Sequence, residues 1–263
     1  MDLTSLDRIR TPRTRSGLVL GPGSAPLAGG TWLFSEPQPH LSELVDLTGL
    51  GWPPFDVSDG LSIAATCTLR QLADLPAVPG WRSQHLVLEC LRSLVMSEKI
   101  WDLATVGGNI CVALPAGALI TLAVALDATA VVWSSSSSRE LPVLDLVTGV
   151  RTTALAPGEV LRSIVVEPTV LASPAAFARV ALTRHGRTGA IVVGRRGDDG
   201  FVATVTGGVP RPYRFAFSSM PSGPELCDAV DTIDDWYDDP HGAPDWRRAQ
   251  TLRLAEQVRR ELA

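Results

Sequence analysis

The chain has 263 residues, 45% of them apolar and 19% charged, and a formal net charge of −5. That length suits one large domain or two modest ones, and the composition suits a packed core and excludes a disordered chain. The acidic balance argues against a nucleic-acid binder, whose surface is basic.

Cys67, Cys90, Cys111 and Cys227 are scattered with no C-x-x-C pair, so metal or cluster ligation is not expected and buried free thiols in a reducing, cytoplasmic compartment are. Asp2, Asp7, Arg8, Arg10, Arg13 and Arg15 alternate in sign without an apolar h-region, so no secretory signal is expected. The most apolar stretch, Cys111 to Trp133, is broken by Pro115, Gly117 and Asp127. Its unbroken part, Ala118 to Leu126, falls short of the roughly 20 residues a bilayer needs.

In chain order, Thr14 to Pro26 is Gly/Pro-rich and leads into Leu27-Ala28-Gly29-Gly30-Thr31-Trp32. Glu43 to Leu47 reads as a strand. Phe55 to Leu69 reads as two strands joined by the hairpin signal Ser58-Asp59-Gly60, the second being Leu61 to Cys67. Thr68 caps a short helix through Leu72. Val87, Leu91, Leu94 and Val95 share one face of a helix predicted over Arg82 to Glu98. That helix delivers the chain to Thr105-Val106-Gly107-Gly108-Asn109-Ile110. Ala116 to Leu126, apolar all round, is a buried helix. Ala130 to Trp133 is a strand, Ser134 to Ser138 an exposed hairpin loop, Pro157-Gly158 a turn and Leu161 to Glu167 a strand. Beyond a boundary at Pro168 to Pro174, antiparallel strands are predicted at Ala176–Leu182, Gly189–Gly194, Phe201–Gly207 and Tyr213–Phe217, with a turn at Asp198-Asp199-Gly200. Helices over Glu225 to Tyr237 and Asp245 to Leu262 follow.

The two glycine pairs carry the functional reading. Glycine permits positive φ and close approach to the backbone, so two such loops could converge on one phosphate-bearing ligand with exposed N–H groups. On spacing alone a plain turn is the better reading of each. Neither G-x-x-x-x-G-K-[ST] nor G-x-G-x-x-G is present, so a P-loop and a Rossmann fingerprint have no support. His40, His85, His185 and His241 lack metal-ligand spacing, so no metal site is expected. The basic turns Arg184-His185-Gly186-Arg187 and Arg195-Arg196, and the acidic set Asp228 to Asp239, read as solvated surface. No G-x-S-x-G elbow or nucleophile–base pair appears, so no catalytic residue is assigned and any chemistry falls to a cofactor.

Five stretches in register resemble the flavin-binding medium subunit of molybdenum hydroxylases, the family of carbon monoxide dehydrogenase and the xanthine dehydrogenase flavin domain. They are Pro26 to Thr31, Thr105 to Ile110, Leu126-Asp127-Ala128, Thr152 to Leu161 and Asp245-Trp246-Arg247-Arg248. The resemblance implies an α+β fold: a two-subdomain, PCMH-type (vanillyl-alcohol-oxidase-like) FAD-binding domain over 1–168, split at about 52/53. A C-terminal domain over 169–263, an antiparallel sheet with helices, follows. It implies FAD held by Leu27, Ala28, Gly29, Gly30, Thr31 and Trp32 in the first loop, and by Thr105, Gly107, Gly108 and Asn109 in the second. Leu161 packs against the flavin or adenine. It further implies electron transfer, from a 2Fe-2S small subunit beside a molybdopterin large subunit, through FAD to NAD or another acceptor. Trp32 and Ala118 stand where the family often has polar or acidic groups, and a family lysine has no counterpart near Arg179 and Val180. A stand-alone flavin oxidoreductase of the same fold, and a scaffold subunit that has lost FAD, are the alternatives.

Overall fold

The computed structural model describes residues 3–198 and 200–263. Asp2 of the charged N-terminal run and Asp199 of the predicted turn lie outside the described residues. The architecture is mixed α+β, with three principal sheets in chain order.

The first sheet is parallel and three-stranded: Arg8–Arg10, Glu43–Asp46 and Ser24–Leu27, with Glu43–Asp46 in the middle. Arg8–Arg10 and Ser24–Leu27 carry no readable alternation; pairing on both sides of Glu43–Asp46 makes them strands. Glu43 fastens all three. Its carboxylate accepts from Arg10 Nε at 2.9 Å and the Ser24 hydroxyl at 2.6 Å, and Arg8 stands 2.7 Å away.

The second sheet is antiparallel, in the order Phe55–Asp56, Leu61–Ala64, Val160–Val166, Thr129–Trp133, Ser138–Pro142. Helices cover one face, and the main apolar core lies between them and the sheet. Thr68 and Gln71 form a reciprocal capping box at the helix Leu69–Ala73, as the threonine predicts. The predicted 82–98 helix is shorter, Leu86–Ser93, because Leu94 turns extended (ψ 125°) and leaves Val95 59% exposed. A separate helix, Glu98–Leu103, follows. Helix Ala118–Ala125 is buried along its whole length, as its all-apolar sequence requires.

The third sheet is an antiparallel meander: Ala175–Ala181, Thr188–Gly197, Gly200–Thr206 and Tyr213–Phe217. Strand Thr188–Gly197 is covered on both faces and therefore lacks the usual polar alternation. Ile191 and Val193 join the main core, while Ala190 and Val192 face a second core beneath helices Gly223–Val230 and Pro244–Leu262. The predicted 225–237 helix ends at Val230, beyond which Thr232 and Ile233 close a turn. Two polar devices fasten this sheet, one to the turn after helix Ala118–Ala125 and one to its own covering helix Pro244–Leu262. Asp127, at φ 46°, accepts from Arg214 Nε at 2.5 Å and from buried Arg195. Buried Arg247 donates to the carbonyls of Gly242 (2.8 Å), Gly189 (2.6 Å) and Gly207 (2.7 Å) and to Asp239 (2.5 Å).

Candidate cofactor site

The first glycine stretch leaves the carboxyl end of strand Ser24–Leu27, the end of parallel strands at which ligands bind in open α/β sheets. A Cβ on Gly29 would lie 1.8 Å from the Leu103 carbonyl oxygen, so only glycine lets the loop lie against that chain. Gly30 has φ +68°, the left-handed region. Two of the loop's carbonyls turn inward: Gly30 C=O accepts from Phe34 N–H and Trp32 C=O from Ser35 N–H, both at 2.9 Å. The N–H groups of Gly29, Gly30, Thr31, Trp32 and Leu33 have no acceptor among the described residues. A run of unpaired N–H groups in such a turn is an anion-binding concavity.

The second stretch is built differently. It is not a loop but the first turn of the helix Val106–Val112, with Thr105 as N-cap. Val106 N–H donates to Cys67 C=O and Gly107 N–H to Ala65 C=O, each at 2.9 Å. Gly108 N–H donates to the Thr105 hydroxyl at 3.1 Å and Asn109 N–H to Thr105 C=O at 2.9 Å. All four N–H groups are therefore engaged within the chain. Gly107 is glycine for close packing: a Cβ there would lie 2.5 Å from Ala65 Cβ and 2.8 Å from its carbonyl oxygen. The Asn109 side chain accepts from Leu119 N–H at 2.9 Å and so caps the next helix. The two stretches meet through Gly29, whose position for a Cβ is also 3.2 Å from Ala104 Cα, one residue before Thr105.

Beside the first loop lies a cleft of about 250 Å³. Trp32, Leu33, His40, Cys111, Val112 and Arg151 are among its walls, and no carboxylate is. The Arg151 guanidinium sits over the Trp32 ring, 5.1 Å from its centroid, and 3.7 Å from Glu36. Burial pushes the Cys111 thiol up to about 12, so it is no thiolate at neutral pH. Leu161 is 3% exposed in strand Val160–Val166 and belongs to the main core, as does fully buried Ala118. A larger cavity of about 430 Å³ lies at the amino ends of the parallel strands, around Arg8, Arg10 and Glu43, where both arginines already pair with the glutamate.

Sequence reasoning missed Arg151 and the cleft-lining roles of Cys111 and His40. No sequence signal marks Arg151. It takes φ +57° between the short strands Val147–Gly149 and Thr152–Thr153, a conformation a non-glycine sequence does not announce.

These features fit a diphosphate-bearing cofactor. The unpaired N–H run suits phosphate oxygens, Gly29 and Gly30 leave no Cβ in their way, and the adjoining cleft is aromatic and cationic. The enclosed volume is smaller than the 300–1,000 Å³ typical of ligand pockets, so it would house part of a dinucleotide, the remainder lying along the surface.

A family model described as the FAD binding domain in molybdopterin dehydrogenase matches residues 14–168. Comparison with curated proteins gives no match. Among solved structures, the chain superposes on one chain of quinoline 2-oxidoreductase from Pseudomonas putida 86 with a TM-score of 0.83 and 19% identity, covering 100% of this chain and 98% of that one. It superposes on carbon monoxide dehydrogenase from Hydrogenophaga pseudoflava with a TM-score of 0.80 and 19% identity, covering 97% and 96%. For carbon monoxide dehydrogenase from Oligotropha carboxidovorans the values are 0.81 and 20%, with full coverage of both chains. At these identities the likeness is one of fold.

Proposed function

The chain belongs to the family of FAD-binding domains in molybdopterin dehydrogenases, and from that premise we propose that it is the FAD-carrying electron-transfer subunit of a molybdopterin-dependent hydroxylase or dehydrogenase complex. The observation that carries the cofactor reading is the unpaired N–H run from Gly29 to Leu33 beside an aromatic, carboxylate-free cleft. Those N–H groups would hold the pyrophosphate. Leu27 and Ala28 bring the chain to the loop, and Trp32 and Leu33 wall one side. Thr105, Gly107, Gly108 and Asn109 would serve by packing the supporting helix rather than by donating to phosphate. Leu161 would act from the apolar layer beneath. The bound flavin would supply a redox centre able to take electrons singly and release them in pairs. This chain's part is to bind and orient it.

Electrons would arrive from a 2Fe-2S small subunit and leave to NAD or another acceptor. Substrate oxidation would occur on a molybdopterin large subunit, all in the cytoplasm. The Hydrogenophaga pseudoflava relative supports the division of labour: it is a carbon monoxide dehydrogenase described as lacking the Mo-pyranopterin moiety of its molybdenum cofactor, so this fold occurs beside a molybdenum cofactor there. The test is the visible spectrum of the purified full chain, with the released cofactor identified by chromatography. A flavin spectrum with FAD released is expected. A colourless chain that takes up no added FAD refutes the cofactor reading and favours the scaffold alternative.

A further inference from the structure

We propose that Arg151 and Trp32 form the charge-and-ring half of the cofactor site, a proposal that rests on the FAD reading above. Arg151 gives the diphosphate the cation that the glycine loop lacks, and Trp32 gives a face to one of the cofactor's flat rings.

The first glycine loop neutralises a diphosphate only through N–H dipoles, because no Lys or Arg lies between Leu27 and Leu41. Arg151 is a cation at this loop, lining the same cleft as Trp32 and Leu33. Its guanidinium lies 5.1 Å from the Trp32 ring centroid, and Trp32 is itself a member of the unpaired N–H run. Cation, ring and N–H groups therefore converge from two segments far apart in sequence.

Both present contacts of Arg151 are ones a ligand can replace. The Glu36 pair is 3.7 Å long with side chains 54% and 46% exposed, so solvent screens it. A flat ring of the cofactor seated on the same indole would take the place of the guanidinium, which would then be free for phosphate oxygens in its preferred bidentate manner.

The root of the side chain, by contrast, is fixed. Arg151 N–H donates to Ala113 C=O at 2.8 Å, and Ala113, at φ 51°, is the left-handed cap of the helix Val106–Val112. The helix that begins at the second glycine pair ends by placing Arg151. This gives that pair a part in the site although its own N–H groups are all engaged: Gly107 seats the helix against Ala65, and the helix sets Arg151 at the cleft.

The full chain, freed of flavin, is titrated with FAD by quenching of flavin fluorescence at low and high salt. Arg151→Ala is expected to weaken FAD about ten- to hundredfold and to flatten the salt dependence. Arg151→Lys should recover part of the loss. Trp32→Ala should weaken binding about tenfold and Trp32→Phe much less. Thermal midpoints taken alongside should be unchanged, since these side chains are half exposed. Should alanine at 151 unfold the turn, Arg151→Gln keeps the length and removes the charge, and the same loss is expected. Wild-type affinity in a folded Arg151→Ala or Arg151→Gln chain overturns the proposal and leaves the FAD reading standing. A wild-type chain that binds no FAD overturns the reading, and the proposal with it.

Discussion

Gly107 and Gly108 are neighbours in the same helical turn, and the same substitution should affect them very unequally. Replacing either by alanine raises helix propensity by at most about 1 kcal/mol. At Gly108 the new Cβ meets only the Thr105 hydroxyl, at 2.9 Å. That hydroxyl can rotate away, giving up a cap worth about 1 kcal/mol, so Gly108→Ala should be nearly neutral. At Gly107 the Cβ meets Ala65 Cβ at 2.5 Å, its carbonyl oxygen at 2.8 Å and its Cα at 2.9 Å. Backbone cannot rotate away, so the helix must lift. Overpacking costs about 1–3 kcal/mol, and the Gly107 N–H···Ala65 O bond (2.9 Å) loses about 1 kcal/mol more. Less the propensity gain, Gly107→Ala should cost about 2 kcal/mol, a fall of about 4–8 °C in the unfolding midpoint for a chain of this size. Circular dichroism melts of the two full-length variants decide it. If Gly107→Ala melts within 2 °C (about 1 kcal/mol) of Gly108→Ala, the close-packing account of the second glycine pair is wrong.

Asp127→Asn leaves buried Arg195 without its carboxylate. It should cost about 3 kcal/mol in urea unfolding, and a loss below 1 kcal/mol would mean that Asp127 does not hold the third sheet in place. The Arg10 and Ser24 hydrogen bonds hold the Glu43 carboxyl at about 2, against an ordinary 4.5. Because the folded value is the lower one, its stabilisation is present above pH 4.5 and is lost as pH falls towards 2. Glu43→Gln should therefore flatten the acid limb of the stability–pH curve in that window. Glu256, held at about 2 by Arg259 and Arg260, should keep a residual slope. A Glu43→Gln curve parallel to wild type would show that the triad does not survive in solution. Cys111 lines the cleft, and burial raises its thiol to about 12. Maleimide labelling there at pH 8 should be slow and should slow further with FAD; equal rates with and without FAD would place the cofactor elsewhere.

Much of the fold was legible because burial on one face writes alternation into a strand and an all-apolar run writes a buried helix. Tyr213–Phe217 and Ala118–Ala125 are of that kind. The misreadings have equally specific causes. Val95 continues the apolar period of the preceding helix, yet the chain turns extended at Leu94 and exposes it. Arg8–Arg10 offers two charges around one isoleucine and becomes a strand by pairing with Glu43–Asp46, where Glu43 also binds both arginines. Helix Val106–Val112 opens with two glycines, which local propensity reads as a turn; contact with Ala65 and the Thr105 cap override that preference.

The site was half legible for a related reason. A glycine pair has two uses, to leave N–H groups open to a ligand or to let two backbones touch, and both look alike in sequence. Only the hydrogen-bond partners separate them. The N–H groups of residues 29–33 have no acceptor among the described residues, whereas every N–H from Val106 to Asn109 already has one in the chain. On the proposed reading, the diphosphate is therefore held by one loop and a distant arginine, not between two glycine walls. The second glycine pair acts at a helix's length, through the left-handed cap at Ala113 that ties down the backbone of Arg151. A lesion at Gly107 should then reach the cofactor without touching it. It would displace the helix, and with it the cation, while the loop from Gly29 to Leu33 stays as it was.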